Sequence, residues 1–178
     1  MTDMMQIPAW VDGQLTPVDK LEVHVRGLRH PAVSVFVMRR GEVLLQRRAL
    51  GKYHTPGLWA NTCCTHPAWG EDPSVCALRR LREELGITGL TVHHRDTVEY
   101  RAPVGNELIE HEVVDLFTAE APTPLHLALN PDEVVDVRWV SLEDLTKETE
   151  RTPDVFTPWL RIYLKKHGTA IFGDLLTA

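Results

Sequence analysis

Cysteine, histidine and glutamate recur in this chain at separations that matter for chemistry. In Trp59-Ala60-Asn61-Thr62-Cys63-Cys64-Thr65-His66-Pro67, a thiol and an imidazole stand two residues apart. Side chains alternate between faces of an extended backbone, so Cys64 and His66 share one side and Cys63 takes the other. Proton transfer is one use of that pair; a buried cysteine beside a structural histidine is the plain alternative. Glu110-His111-Glu112 opens a predicted strand, and the same period of two puts both carboxylates on one face. Two like charges that close are costly unless a cation or a proton neutralises one of them; a solvated strand end is the alternative. His24 and His30 are six apart, too far for one helical turn. Three histidines and two glutamates supply nitrogen and oxygen donors for a divalent ion, although spacing alone does not join them.

A further set lies on a predicted helix at 73–85. Asp72 is its N-cap, Pro73 its first residue and Gly86 its stop, with Ala77, Leu78, Leu81 and Leu85 on one face. Arg79 and Glu83 are four apart, as are Arg80 and Glu84, which reads as surface ion pairs worth about 0.3–0.5 kcal/mol each. Arg before Glu is the poorer order, and two carboxylates in the last turn oppose the helix dipole. A nearby cation would give Glu83 and Glu84 local electrostatic sense; a solvated charged face is the alternative.

The elements that must position these groups can be placed coarsely. Val33–Met38 and Glu42–Arg48 flank Arg40-Gly41 and predict a hairpin. Thr91–Arg101, Glu110–Thr118 and Val134–Val140 predict further strands, Ser141–Glu148 a second helix and Trp159–Lys166 a third. Strands outnumber helices and interleave with them irregularly, which predicts an α/β (α+β) domain: a mixed sheet flanked by helices. One domain over residues 1–178 is expected, its core at about 20–166, with 1–19 loosely ordered.

Composition bounds the function. Lys plus Arg is 19, Asp plus Glu is 25 and the net charge is −6, which argues against a nucleic-acid partner held by bulk electrostatics. No apolar run approaches the ~20 residues needed to cross a bilayer, and no secretory leader is expected at the N-terminus. Three cysteines, two of them adjacent, make no disulfide framework. A cytoplasmic protein without membrane or nucleic-acid partners, a monomer or weak dimer, is expected.

Glu71, seven residues, then Arg79-Arg80-Leu81-Arg82-Glu83-Glu84-Leu85-Gly86-Ile87 resembles the Nudix box G-x5-E-x7-R-E-U-x-E-E-x-G-U, where U is a bulky aliphatic residue. Thr65 stands at the first Gly and Arg80 replaces the Glu after the Arg. Arg80 would repel the cations that Nudix hydrolases hold on a diphosphate, yet could itself bind phosphate. With Asn61 to His66, Glu110-x-Glu112, Arg47-Arg48-Ala49-Leu50 and Phe156-Thr157-Pro158-Trp159 in the same order, the chain resembles the type I isopentenyl-diphosphate isomerases of the Nudix superfamily from about Lys20 to Trp159.

That resemblance implies a Nudix-like fold, a small diphosphate substrate and two cations. Mg2+ on the diphosphate goes with Glu84. A further divalent metal, Mn2+, Mg2+ or Zn2+, goes with His24, His30, His66, Glu110 and Glu112. Catalytic roles fall on Cys64, Glu112 and Tyr100, and phosphate contacts on Lys20, Arg48, Lys52 and Arg80. Trp159 would cover the reacting carbons. His24 and His30 are six apart where the family pattern has seven, and Thr55 stands where it has Trp.

The implied reaction moves a double bond between isopentenyl and dimethylallyl diphosphate through a tertiary carbocation. Glu112, made more acidic by a metal and assisted by Tyr100, would protonate one carbon. Cys64 as thiolate would deprotonate another from the opposite face, and the π-face of Trp159 would stabilise the cation between them. Two other readings use the same motifs: a Nudix hydrolase of a nucleoside-type diphosphate, and a non-catalytic diphosphate- or metal-binding domain.

Overall fold

Strand β3, Arg29–Arg39, divides the molecule by its alternation. Val33, Val35 and Val37 pack on one side with helix α2 (Pro73–Leu85), while Ala32, Phe36 and Met38 pack on the other. Such a strand is buried on both faces and is the centre of a sheet. The computed structural model describes residues 5–173. Its large sheet has the order β5–β4–β3–β8–β7, where β4 is Glu42–Arg48, β5 Trp59–Ala60, β7 His93–Pro103 and β8 Ile109–Glu120. Off that path, β6 (Cys63–Thr65) pairs with β3 and β9 (Val134–Ser141) pairs with β4. Only β3 and β8 run parallel, which makes the sheet mixed, as expected.

Helix α2 forms as predicted. The Asp72 carboxylate accepts from the Ser74 and Val75 amides, Pro73 is the first residue, and Gly86 ends the helix at φ 67°. Only glycine fits there, because a Cβ on Gly86 would meet Ala128 at 2.6 Å. The helix buries Cys76, Ala77, Leu81 and Leu85 against β3, β6 and β8. Helix α3, Leu142–Arg151, starts at the expected Ser141 cap.

Two expectations are corrected. Residues 6–19, expected to be loosely ordered, form an antiparallel hairpin of β1 (Gln6–Val11) and β2 (Gln14–Asp19). Its turn is Asp12-Gly13, both at positive φ, the pair that favours a two-residue hairpin turn. Ile7, Ala9 and Val18 are buried beneath it with Val23. The single helix expected over Trp159–Lys166 is instead α4 (Pro158–Ile162), a π-helical turn (Tyr163–His167) and α5 (Gly168–Phe172). The wider turn accompanies the docking of Tyr163, whose hydroxyl lies 3.0 Å from Ser34 Oγ on β3. Helix α1 (Lys20–Arg26) was not anticipated; it is capped by Asp19 and reverses at Gly27, φ 60°.

Candidate metal and active site

Register gathers the site. His30 on β3 stands opposite Glu112 on β8, and Glu112 stands opposite Tyr100 on β7. Ser34 on β3 stands opposite Cys64 on β6. The period of two does the rest: Tyr100, Glu110, Glu112, His30, Ser34 and Cys64 share the face that carries Ala32 and Phe36. Cys63 points the other way, fully buried with Cys76 and Leu81, as the sequence predicted. His24 reaches the site from α1. The backward turn at Gly27, in which the Leu28 amide bonds the Val23 carbonyl, brings the His24 and His30 rings to 5.0 Å.

His24 Nδ1 lies 2.7 Å from the Lys20 carbonyl and His30 Nδ1 2.8 Å from the Leu28 carbonyl. A carbonyl only accepts, so both Nδ1 atoms donate and each Nε2 keeps its lone pair. His30 Nε2 and His66 Nε2 are 3.2 Å apart, and Glu112 Oε1 lies 3.5 and 3.2 Å from them. One donor atom each from His24, His30, His66 and Glu112 falls within a mutual 4.8 Å; His24, His54 and Glu110 form an adjoining set. Lone pairs and carboxylates converging in a buried space suit a divalent cation, and the carbonyl contacts are the outer partners that orient ligating histidines. Of the five donors expected, four meet in one set and Glu110 lies in the adjoining one.

Burial pushes His24 down to about 4 and His66 to about 3. Burial and the neighbouring Glu112 charge push Glu110 well above the carboxylate range. Burial opposes ionisation of Glu112 too, but contacts from His30 and His66 outweigh it and hold its carboxyl well below that range. Tyr100 Oη is hydrogen-bonded to both, 2.7 Å from Glu110 Oε2 and 2.8 Å from Glu112 Oε2.

Cys64 departs from the thiolate expectation. Its Sγ–H donates to Asn61 Oδ1 at 2.9 Å, Ser34 Oγ lies 3.1 Å away, and burial raises the thiol well above its ordinary value. It is a thiol here.

Cys64, His66, Glu110, Glu112 and Trp159 line one cleft together with Lys20, Lys52, Arg80 and Glu84. Tyr100, His24 and His30 are buried and contact its lining residues. Burial and the neighbouring Lys52 bring Lys20 down to about 8. Arg80 bonds Glu84 at 2.7 Å and Glu83 at 2.8 Å and approaches Glu133 at 3.4 Å. Lys52 also pairs with Glu133. Arg79 holds Glu71 through two bonds of 2.6 and 2.8 Å. Glu71, Glu83 and Glu84 therefore all face arginine. Arg48 directs Nε and Nη2 at the Thr55 and His54 carbonyls, both at 3.2 Å, and lies 5.2 Å from the Trp159 ring centre; it builds the loop as well as lining the cleft.

His54, Glu133, Ser34 and Tyr163 were missed. His54 and Glu133 are single polar residues in loops, Ser34 lies within an apolar strand and Tyr163 on a helix, and only the tertiary fold shows what they meet. Among the described residues no helix is long and apolar enough to cross a membrane.

The NUDIX domain model matches residues 28–160. An isopentenyl-diphosphate Delta-isomerase of Dinoroseobacter shibae is 67% identical over 172 residues, 97% of this chain and 98% of that protein. One from Cereibacter sphaeroides is 67% identical over 169 residues, 95% and 96% of the two chains. Among solved structures, DR0079 of Deinococcus radiodurans superposes with a TM-score of 0.73 at 14% identity, over 91% of this chain and 98% of that one. A MutT NUDIX hydrolase of Burkholderia pseudomallei gives 0.60 at 22% identity, over 78% and 98%; both likenesses concern the fold. The chain belongs to the isopentenyl-diphosphate Delta-isomerase family of NUDIX-domain proteins.

Proposed function

We infer that the protein interconverts isopentenyl diphosphate and dimethylallyl diphosphate, adding a proton at one carbon and removing one from another. The observation that carries this reading is the placing of two proton-transfer groups on either side of β3. Cys64 comes from β6 and the Glu110–Tyr100–Glu112 group from β8 and β7. A hydrolase has no use for that thiol, and the arginine pairing of Glu71 and Glu83 disfavours a hydrolytic cluster of several cations on the helix.

The site residues have distinct tasks. Lys20, Arg48, Lys52 and Arg80 bind the diphosphate, with Mg2+ on it near Glu84, and so aim the five-carbon chain at Trp159. Trp159, fully buried at the cleft wall, offers a π-face that stabilises a tertiary carbocation without reacting with it. Cys64 carries a proton, with Asn61 and Ser34 orienting the sulfur. Glu112 takes or gives one through Tyr100. The reaction is reversible, so the two groups exchange roles with its direction. A divalent cation, Mn2+, Mg2+ or Zn2+, held by His24, His30, His66, Glu110 and Glu112, would neutralise the buried carboxylates and make attached acids stronger. We place the protein in the cytoplasm as a monomer or weak dimer acting on this small diphosphate.

Incubation of isopentenyl diphosphate with the protein and Mg2+ should yield dimethylallyl diphosphate and no free phosphate. Phosphate without the allylic product would refute the isomerase reading.

A further inference from the structure

His54 sits in the loop between β4 and β5, only 4% exposed, and the family resemblance assigns it no role. The loop is built to hold it. Arg48 ties down the His54 and Thr55 carbonyls. Thr55 adopts φ 45°, a left-handed conformation that a β-branched residue rarely takes and that tends to occur at functional sites. His54 Nδ1 lies 3.0 Å from Thr55 Oγ1, so one ring nitrogen is occupied within the loop. The other, Nε2, faces Glu110 Oε1 at 3.4 Å.

That separation matches the approach of His66 and His30 to Glu112 Oε1, 3.2 and 3.5 Å. Neighbouring donors on a six-coordinate cation with bonds of about 2.1 Å lie roughly 3 Å apart. His24 belongs to both donor sets, with His30, His66 and Glu112 in one and His54 and Glu110 in the other. The six donors do not form one set; since donors on a single ion with bonds of about 2.1 Å lie at most about 4.2 Å apart, His54 and Glu110 must close toward the first set as the ion binds. Three histidines and two glutamates leave a six-coordinate sphere one donor short.

We propose that His54 is the sixth protein donor of the buried metal centre, giving four histidines and two glutamates around one divalent ion. The proposal rests on the metal centre described under the proposed function. It makes the centre coordinatively saturated, with no position for water.

The test is Mn2+ binding to the full chain, read as affinity and as the relaxation rate of water protons. Wild-type protein should bind one Mn2+ with little relaxation enhancement, because no water touches the ion. His54→Ala should bind at least tenfold more weakly, and relaxation per bound ion should rise as water enters the vacated position. His54→Phe, which fills the space without a donor, should bind as weakly but show little rise in relaxation, and it guards against collapse of the loop; circular dichroism of the metal-free proteins checks folding. Unchanged affinity in both variants overturns the proposal. So does weakened binding of His54→Ala without a rise in relaxation, since that marks a residue acting only through Glu110. If wild-type protein holds no Mn2+, the metal centre itself fails, and the proposal with it.

Discussion

Tyr100 and Glu112 are direct cross-strand partners on β7 and β8, and the phenol oxygen lies 2.8 Å from Glu112 Oε2. Glu110 Oε2 lies 2.7 Å from the same oxygen. A phenol has one hydrogen to donate. It cannot serve two ionised carboxylates, so in the metal-free protein the trio shares a further proton, and burial beside the Glu112 charge favours Glu110 as its holder; a bound cation would displace it. Tyr100 thus links a protonated carboxyl to an ionised one, the arrangement a proton relay requires.

Tyr100→Phe should therefore lower turnover by about 10²–10⁴-fold, the usual contribution of a general acid–base group, while leaving metal content unchanged. Steady-state kinetics and metal analysis on the same preparation are the check. Normal turnover would remove Tyr100 from the relay.

His66→Ala and Glu112→Gln should each lose most of the bound divalent metal, since His66 Nε2, His30 Nε2 and Glu112 Oε1 converge within 3.2–3.5 Å. Elemental analysis after dialysis decides it. Full occupancy in both variants would sink the centre.

Acid should destabilise the metal-free protein. Burial depresses His24 to about 4, His66 to about 3 and His54 to about 2, whereas the unfolded chain titrates near 6.5. Below that value the unfolded state binds more protons, so stability falls as pH drops from about 6.5 toward 4. The loss is on the order of 1 kcal/mol per histidine per pH unit. Above about 7 these groups are neutral in both states and contribute no slope. Urea midpoints with chelator should hold from pH 8 to about 6.5 and fall from there to pH 5, and those with Mn2+ should fall at least as steeply from a higher starting point; a flat chelator curve below pH 6.5 would contradict the histidine argument.

The helix at 73–85 was legible because its signals are local: a capping Asp72, Pro73, apolar spacing and Gly86. The Cys64–His66 and Glu110–Glu112 phases were legible because a strand has a fixed period. The joining of His30 to Glu112 and Tyr100 was not, since it depends on the register between β3 and β8, where His30 and Glu112 pair across some eighty residues of sequence. Family resemblance supplied that link before the fold did. The N-terminal hairpin could have been found from Asp12-Gly13. His54 could not, because a lone histidine in a loop has no periodicity, and its orientation depends on Arg48 and the unusual backbone at Thr55.

Arg80 should matter to folding as well as to diphosphate binding. It bonds the buried Glu84 carboxylate at 2.7 Å, and Gln46 Nε2 is the other donor on that group, at 3.0 Å. Arg80→Ala leaves a buried charge with one neutral partner, a change that costs about 3–5 kcal/mol where desolvation is complete. Adding Glu84→Gln should recover part of that loss. Urea unfolding of the single and double variants is the measurement, and strictly additive losses would argue against the pairing.

The two adjacent thiols make the sharpest contrast. Cys64 lies on the cleft with Ser34 and Asn61, and Cys63 lies in the opposite layer with Cys76 and Leu81. Cys64→Ala should lose about 10²–10⁴-fold in turnover, as expected when an acid–base group is removed, and melt close to wild type. Cys63→Ala should keep most activity and lose about 1 kcal/mol of stability, the scale for trimming one small buried group. Alkylation should reach the half-buried Cys64 before the buried Cys63 and Cys76. Because burial holds the Cys64 proton, labelling should be slow at neutral pH and still accelerate at alkaline pH, since the thiolate is the nucleophile. Turnover, melting temperature and labelling rate can be read side by side on the two variants. An inactive Cys63→Ala beside a working Cys64→Ala would reverse the strand phase and dismiss Cys64 from catalysis. Fast labelling of Cys64 at neutral pH would mean that the thiolate is already formed in the free protein.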